Sequence, residues 1–130
     1  MDHFTIVTDQ LEITRRFYVD LLGLRVGPRP DFPVPGLWLY VRDQPVLHVI
    51  EVRKMPFPRR GVLDHMAFSA TDLMKTLALL HHQQVAFRII RSPGTRIWQV
   101  FFRDPNEVEV ELDFAPNEEP PADWKNLASR

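Results

Sequence analysis

The alternation of apolar and polar residues along this chain runs through the same sequence of elements twice. His3 to Thr8 reads as a short, mostly apolar strand. Leu11, Thr14, Phe17, Tyr18, Leu21 and Leu22 then recur at helical spacing, which predicts one buried helix face. Thr8 or Asp9 followed by Glu12 has the form of a capping box, and Gly23 stands where a helix ends. Leu24 to Val26 starts a second strand. In Leu37 to Val41, alternation points Leu37, Leu39 and Val41 one way and Trp38 and Tyr40 the other. Val46 to Val52 is a further strand, with His48 and Ile50 on one face and Leu47, Val49 and Glu51 on the other.

The second copy repeats this order. Leu63 to Ala70 reads as a strand, and Asp72 caps a helix carrying Leu73, Leu77 and Leu80. His81 and His82 close that helix as surface residues. Val85 to Ile90 and Arg96 to Phe102 are strands, parted by Ser92-Pro93-Gly94. After the turn at Asp104-Pro105-Asn106, residues Val108, Val110, Leu112 and Phe114 lie on one face of a strand and Glu109, Glu111 and Asp113 on the other. The repeat divides the chain into a first module over 1–53, a linker over 54–62, a second module over 63–114 and a tail over 115–130. The loop from Gly27 to Gly36 holds four prolines, which lack the amide hydrogen a central strand needs. The tail is rich in proline and charge. Trp124 and Leu127 are its only sizeable apolar residues, available for the surface of the molecule or for a partner. The expected architecture is α+β: two β-α-β-β-β modules forming a curved mixed sheet, a cup with the helices outside.

Bulk chemistry narrows the function classes. Sixteen basic and 17 acidic residues give a net charge of −1, so no global basic field exists to hold nucleic acid or an anionic membrane. With no cysteine, disulfides and thiolate chemistry are absent. There is no basic segment leading an apolar core at the start, and no apolar run near the ~20 residues a spanning helix needs. The expectation is a cytoplasmic protein.

Candidate chemistry follows from the repeat. Each copy opens Asp-His, at Asp2-His3 and Asp64-His65. His48 and Glu111 occupy the last strand of their respective modules. The separation of His48 from Glu111 matches that of His3 from His65 to within one residue. Four potential ligands thus fall on two pairs of equivalent positions, and a pseudo-twofold axis would gather them. Imidazoles with a carboxylate suit a divalent ion such as Zn, Ni, Fe or Mn. Two histidines and a carboxylate with open positions also make up the facial triad of non-haem Fe(II) oxygenases. Asp2 and Asp64 are placed to orient the imidazoles.

At these residues the sequence resembles the vicinal oxygen chelate superfamily, which includes glyoxalase I, extradiol dioxygenases and bleomycin resistance proteins. The resemblance covers roughly residues 1–114. It rests on Asp2-His3, the segment from Arg16 to Leu24, Asp64-His65-Met66-Ala67-Phe68, and the run from Phe102 through Asp104-Pro105-Asn106 to Glu111. Where that family often has a glycine after the Asp-Pro turn, this chain reads Asn106-Glu107-Val108. The resemblance implies a glyoxalase-like fold and a metal site, with His3, His65 and Glu111 matching the three common ligands. His48 stands where glyoxalase I has a fourth ligand, a glutamate. Bleomycin-binding relatives lack these ligands.

Three functions stay open. The first is a metal-dependent lyase or isomerase acting on a small oxygenated substrate chelated to the metal, with Glu111 as proton-transfer base or, instead, the neighbouring Glu109. The second is an Fe(II) extradiol-type dioxygenase, in which His48 is a non-ligand acid–base residue. The third is a small-molecule binding or resistance protein without turnover. Trp38 and Tyr40 can form an aromatic wall for the substrate. Arg96, with Arg29 and Arg91, can receive an anionic group. The resemblance also implies a homodimer.

Overall fold

The structure, a computed structural model, describes residues 2–127, with side chains through Lys125. The side chain of Leu127, expected as an apolar anchor of the tail, lies outside the described residues. The chain divides into two compact units, Met1–Arg59 and Arg60–Arg130. Among the described residues no helix is long and apolar enough to cross a membrane.

The first unit runs β1 (Phe4–Thr8), α1 (Leu11–Arg16), a π-helical turn (Phe17–Leu21), β2 (Arg25–Gly27), β3 (Gly36–Val41) and β4 (Gln44–Glu51). Its sheet has the order β1-β4-β3-β2, with β1 and β4 parallel and the other pairs antiparallel. One face carries Ile6, Leu39, Leu47 and Val49, which are buried together with Tyr18, Leu21 and Leu24. The helix starts differently from the predicted capping box. Thr8 Oγ1 accepts from the Gln10 amide at 2.9 Å and also lies 3.0 Å from Thr14 Oγ1, joining strand to helix. Glu12 turns outward to Arg15 and Arg16 instead. Gly23 ends the helical segment at φ +74°, a conformation that favours glycine.

The second unit runs β5 (His65–Ser69), α2 (Leu73–His82), β6 (Phe87–Arg91), β7 (Trp98–Arg103), β8 (Glu109–Phe114) and α3 (Trp124–Leu127). Its sheet order, β5-β8-β7-β6 with β5 and β8 parallel, copies that of the first unit. Met66, Val100, Phe102, Val110, Leu112 and Phe114 share its buried face, and Leu73, Leu77 and Leu80 complete the core. Asp72 caps α2 as predicted, accepting from the Lys75 amide at 3.3 Å. The expected pair of β-α-β-β-β modules is therefore present, each with a four-stranded mixed sheet.

The tail is strapped to the second unit. Arg91 Nη2 donates to the Pro116 carbonyl at 2.9 Å, and Trp98 Nε1 donates to the Glu118 carbonyl at 2.8 Å. The Glu118 carboxylate accepts from the Leu73 amide at 2.6 Å, so the tail supplies a second cap to α2. The Trp124 ring meets Trp98 edge to face at 5.5 Å.

Candidate functional site

Strand register places the candidate residues. In the first unit Thr5 pairs with His48, and His3 leads Thr5 by two positions on the same face. In the second unit Ala67 pairs with Glu111, and His65 leads Ala67 by two positions. Each unit thus brings one histidine from its first strand edge beside one residue in the middle of its last strand. The duplicated Asp-His pattern is duplicated geometry as well.

In the second unit His65 Nε2 lies 2.7 Å from Glu111 Oε2. The other ring nitrogen, Nδ1, lies 2.7 Å from Asp64 Oδ2. Asp64 raises the proton affinity of His65 above its ordinary value, and Glu111 adds to the effect. Glu111 is buried at 4% exposure. Burial, then the neighbouring Asp113 carboxylate, pushes its pKa up against the opposing pull of Gln99 and His65. The Gln99 side-chain amide donates to Glu111 Oε1. The Phe101 ring stands edge-on to His65 at 5.8 Å. Glu109 is turned to Arg88 at 3.3 Å, and that guanidinium lies 4.0 Å over Phe101.

The first unit arranges its pair differently. The His3 and His48 rings stack at 3.8 Å and 16°. The Trp38 ring stacks on His48 in turn, at 4.0 Å and 8°. His3 Nδ1 lies 2.7 Å from Asp2 Oδ1, as His65 does from Asp64. His48 Nε2 is buried with no hydrogen-bond partner among the described residues. Burial first, and the adjacent His3 second, lower the pKa of His48, which favours its neutral form.

The other predicted residues separate. Trp38 lines an open hollow of about 200 Å³ with Thr5, Arg29, Phe32, His48 and Ile50. Tyr40 is displaced by a bulge between Leu39 and Tyr40, where Tyr40 pairs with Pro45 rather than Val46. Its hydroxyl donates to the Pro28 carbonyl at 2.5 Å, and its ring covers Gly27, where a Cβ would lie 2.6 Å from it. Arg96 is exposed in the β6–β7 loop at φ +63°. Gln99 was not among the residues predicted for the site. The signal for it was available: it is the polar residue at an outward position of an otherwise apolar strand, directly beside the carboxylate strand.

A metal fits the chemistry of these donors. Each Asp-His contact engages Nδ1 and turns Nε2 of His3 and His65 toward a prospective metal, the arrangement by which carboxylates orient metal-binding histidines; in the second unit that Nε2 is in contact with Glu111. His48 Nε2 is a buried nitrogen with no hydrogen-bond partner among the described residues. Within neither unit do three His, Asp or Glu side chains surround one point among the described residues.

Residues 1–112 match the Glyoxalase/Bleomycin resistance protein/Dioxygenase superfamily. The chain belongs to that superfamily. It is 29% identical over 121 residues to the uncharacterized protein YaeR of Escherichia coli (strain K12), covering 85% of this chain and 92% of YaeR. Among solved structures, a glyoxalase family protein of Bacillus anthracis superposes with a TM-score of 0.73 at 18% identity, over 88% of this chain and 93% of that one. Lactoylglutathione lyase of Agrobacterium tumefaciens gives a TM-score of 0.67 at 20% identity, over 89% and 93%. At these identities the two structures speak to the fold.

Proposed function

We propose that this superfamily member is a divalent-metal-dependent lyase or isomerase acting on a small oxygenated organic substrate. The observation that carries this reading is the duplicated clamp: an Asp-held histidine in each unit, one of them against the buried carboxylate of Glu111. His3 and His48 of the first unit and His65 and Glu111 of the second are the donors for the metal. A bound ion supplies Lewis-acid polarisation of vicinal oxygens on the substrate.

The chain's own residues do the rest. Asp2 and Asp64 hold their imidazoles through Nδ1, so that Nε2 is the nitrogen offered to a metal, in His65 once the proton it shares with Glu111 has left. Gln99 fixes the orientation of Glu111. Burial raises the proton affinity of that carboxylate, the direction that suits a general base when it is loosely held or displaced from the metal. Homodimerisation belongs to the same reading and is checked by light scattering.

A second reading has its own support. A His48 whose neutral form is favoured and whose Nε2 has no hydrogen-bond partner among the described residues is suited to proton transfer, the role it takes if the protein is an Fe(II) extradiol-type dioxygenase. Oxygen uptake with catechols after anaerobic Fe(II) loading separates this from the lyase or isomerase reading.

Metal content of protein purified without added metal is the first test, followed by affinity for Zn, Ni, Mn and Fe. The proposal expects tight binding of at least one, and loss of it in His65→Ala and Glu111→Ala. No affinity for any of the four overturns both enzyme readings, and a ligand retained after metal removal then favours a binding protein. Unchanged affinity in the variants overturns the ligand assignment.

A further inference from the structure

The hollow in the first unit has a composition that selects a ligand. Its walls are apolar: Phe32 and Val34 from the proline-rich loop, Trp38 from β3 and Ile50 from β4. Phe32 and Val34 stay 46% and 44% exposed and both border this hollow, on a loop stiffened by four prolines. The Phe32 and Trp38 rings lie 6.2 Å apart at 46°, and both line the hollow.

One cation is set into this apolar frame. The Arg29 guanidinium is fixed twice, by Nη2 donating to the Val34 carbonyl at 2.9 Å and by lying 5.0 Å over the Phe32 ring. The other arginine ion pairs of this unit join Arg15 and Arg16 to Glu12 and Arg59 to Asp9. No carboxylate pairs with Arg29 among the described residues. Gly36 makes room for it, since a Cβ there would lie 3.2 Å from Arg29 Nη2 and 2.3 Å from the Val49 carbonyl. A guanidinium that is half-buried, oriented and without a counter-ion has unused donors in a fork that matches a carboxylate.

We propose that this hollow is the specificity subsite for the substrate, and that it selects a small, planar, apolar-bodied monoanion of the aromatic carboxylate type. The ring lies against Phe32 and Trp38, and the carboxylate meets Arg29. At about 200 Å³ the hollow is smaller than the ~300–1,000 Å³ typical for drug-sized ligands, so it holds a single ring rather than a peptide-sized group. His48 lines the same hollow as Arg29, which places the anion-holding end near a candidate metal-binding or proton-transfer residue. The inference rests on the enzymatic reading above for its use of the word substrate, but the binding it predicts does not require a metal.

The test is titration of the EDTA-treated protein with benzoate and with benzamide, an uncharged molecule of the same shape. Binding is followed by the shift of the Trp38 indole N–H resonance. Benzoate is expected to bind at least tenfold more tightly than benzamide. Arg29→Gln is expected to erase that preference while leaving benzamide binding unchanged. Arg29→Lys, which keeps the charge, restores part of the preference. Phe32→Ala weakens both ligands. Equal affinity for the two ligands, an undiminished preference in Arg29→Gln, or shifts at Trp98 and Trp124 without Trp38 overturns the subsite. Such failure leaves the metal reading untouched. Loss of metal affinity in His65→Ala and Glu111→Ala tests that reading separately.

Discussion

His65 Nε2 and Glu111 Oε2 lie 2.7 Å apart, and both groups have raised proton affinity. A hydrogen bond at that distance needs a proton on one of the two atoms, and a metal taking both atoms must displace it. Zinc titrated into the protein at pH 7 is therefore expected to release a proton. Calorimetry in buffers of different ionisation enthalpy reads this directly, as a binding heat that varies with the buffer. A heat independent of buffer contradicts the shared proton. Asp64→Asn, which removes the carboxylate from Nδ1, is expected to weaken metal affinity about 10–100-fold with little change in Tm.

Glu118 ties the tail to the start of α2 through the Leu73 amide. Glu118→Ala leaves a part-buried amide without its acceptor, so unfolding free energy should fall by about 1–2 kcal/mol. Urea titration with Trp fluorescence measures the change. An effect within experimental error shows that water or Asp72 replaces the carboxylate.

Glu107 adopts φ +71°, where a side chain is disfavoured, at the turn before β8. The turn is held by Asp104, whose Oδ1 accepts from the Asn106 and Val108 amides at 2.8 and 2.9 Å. Glu107→Gly relieves the backbone strain at an exposed site. We expect stability to rise by up to about 1 kcal/mol, seen as a higher denaturation midpoint. A lower midpoint means that the chain entropy added by glycine outweighs the relief.

Glu12 bonds Arg15 and Arg16 on the exposed side of α1, and these arginines hold its carboxyl down to about 2 from 4.5. A carboxylate depressed on folding contributes its stability above 4.5 and loses it as pH falls from 4.5 toward 2. The Tm difference between the protein and Glu12→Gln should be greatest at neutral pH, shrink across that window and shrink again at high salt. A difference that grows on acidification contradicts the assignment.

The fold was largely readable because alternation has a period of two and helical faces one of 3.6. The duplicated Asp-His starts gave the repeat of the elements and, through register, the closeness of His65 to Glu111. Three features were not readable for a common reason: each depends on where one backbone group goes. The alternation from Leu37 to Val41 looks uninterrupted, yet the ladder slips opposite Pro45, which has no amide hydrogen, and Tyr40 turns to Pro28. The capping-box spacing at Thr8 to Glu12 is present, but Arg15 and Arg16 compete for Glu12. The Asp104 carboxylate lets Glu107 occupy a glycine-like position. Arg29 was visible as a loop arginine, but its setting between Phe32 and Gly36 depends on how the proline-rich loop folds back onto β3.

The strand orders β1-β4-β3-β2 and β5-β8-β7-β6 place the last strand made in each unit second from the sheet edge, between two earlier ones. During synthesis, β5 waits with an unpaired edge until Glu109 to Phe114 emerge, and β7 has only β6 beside it. Neither half of the sheet can close early. A nascent chain that has emerged through Arg103 but not yet through Phe114 leaves β5 and β7 with open edges, a state prone to mispairing with a neighbour. The completed strand thus sets the timing of folding: β8 delivers Glu111 and joins the sheet in the same event.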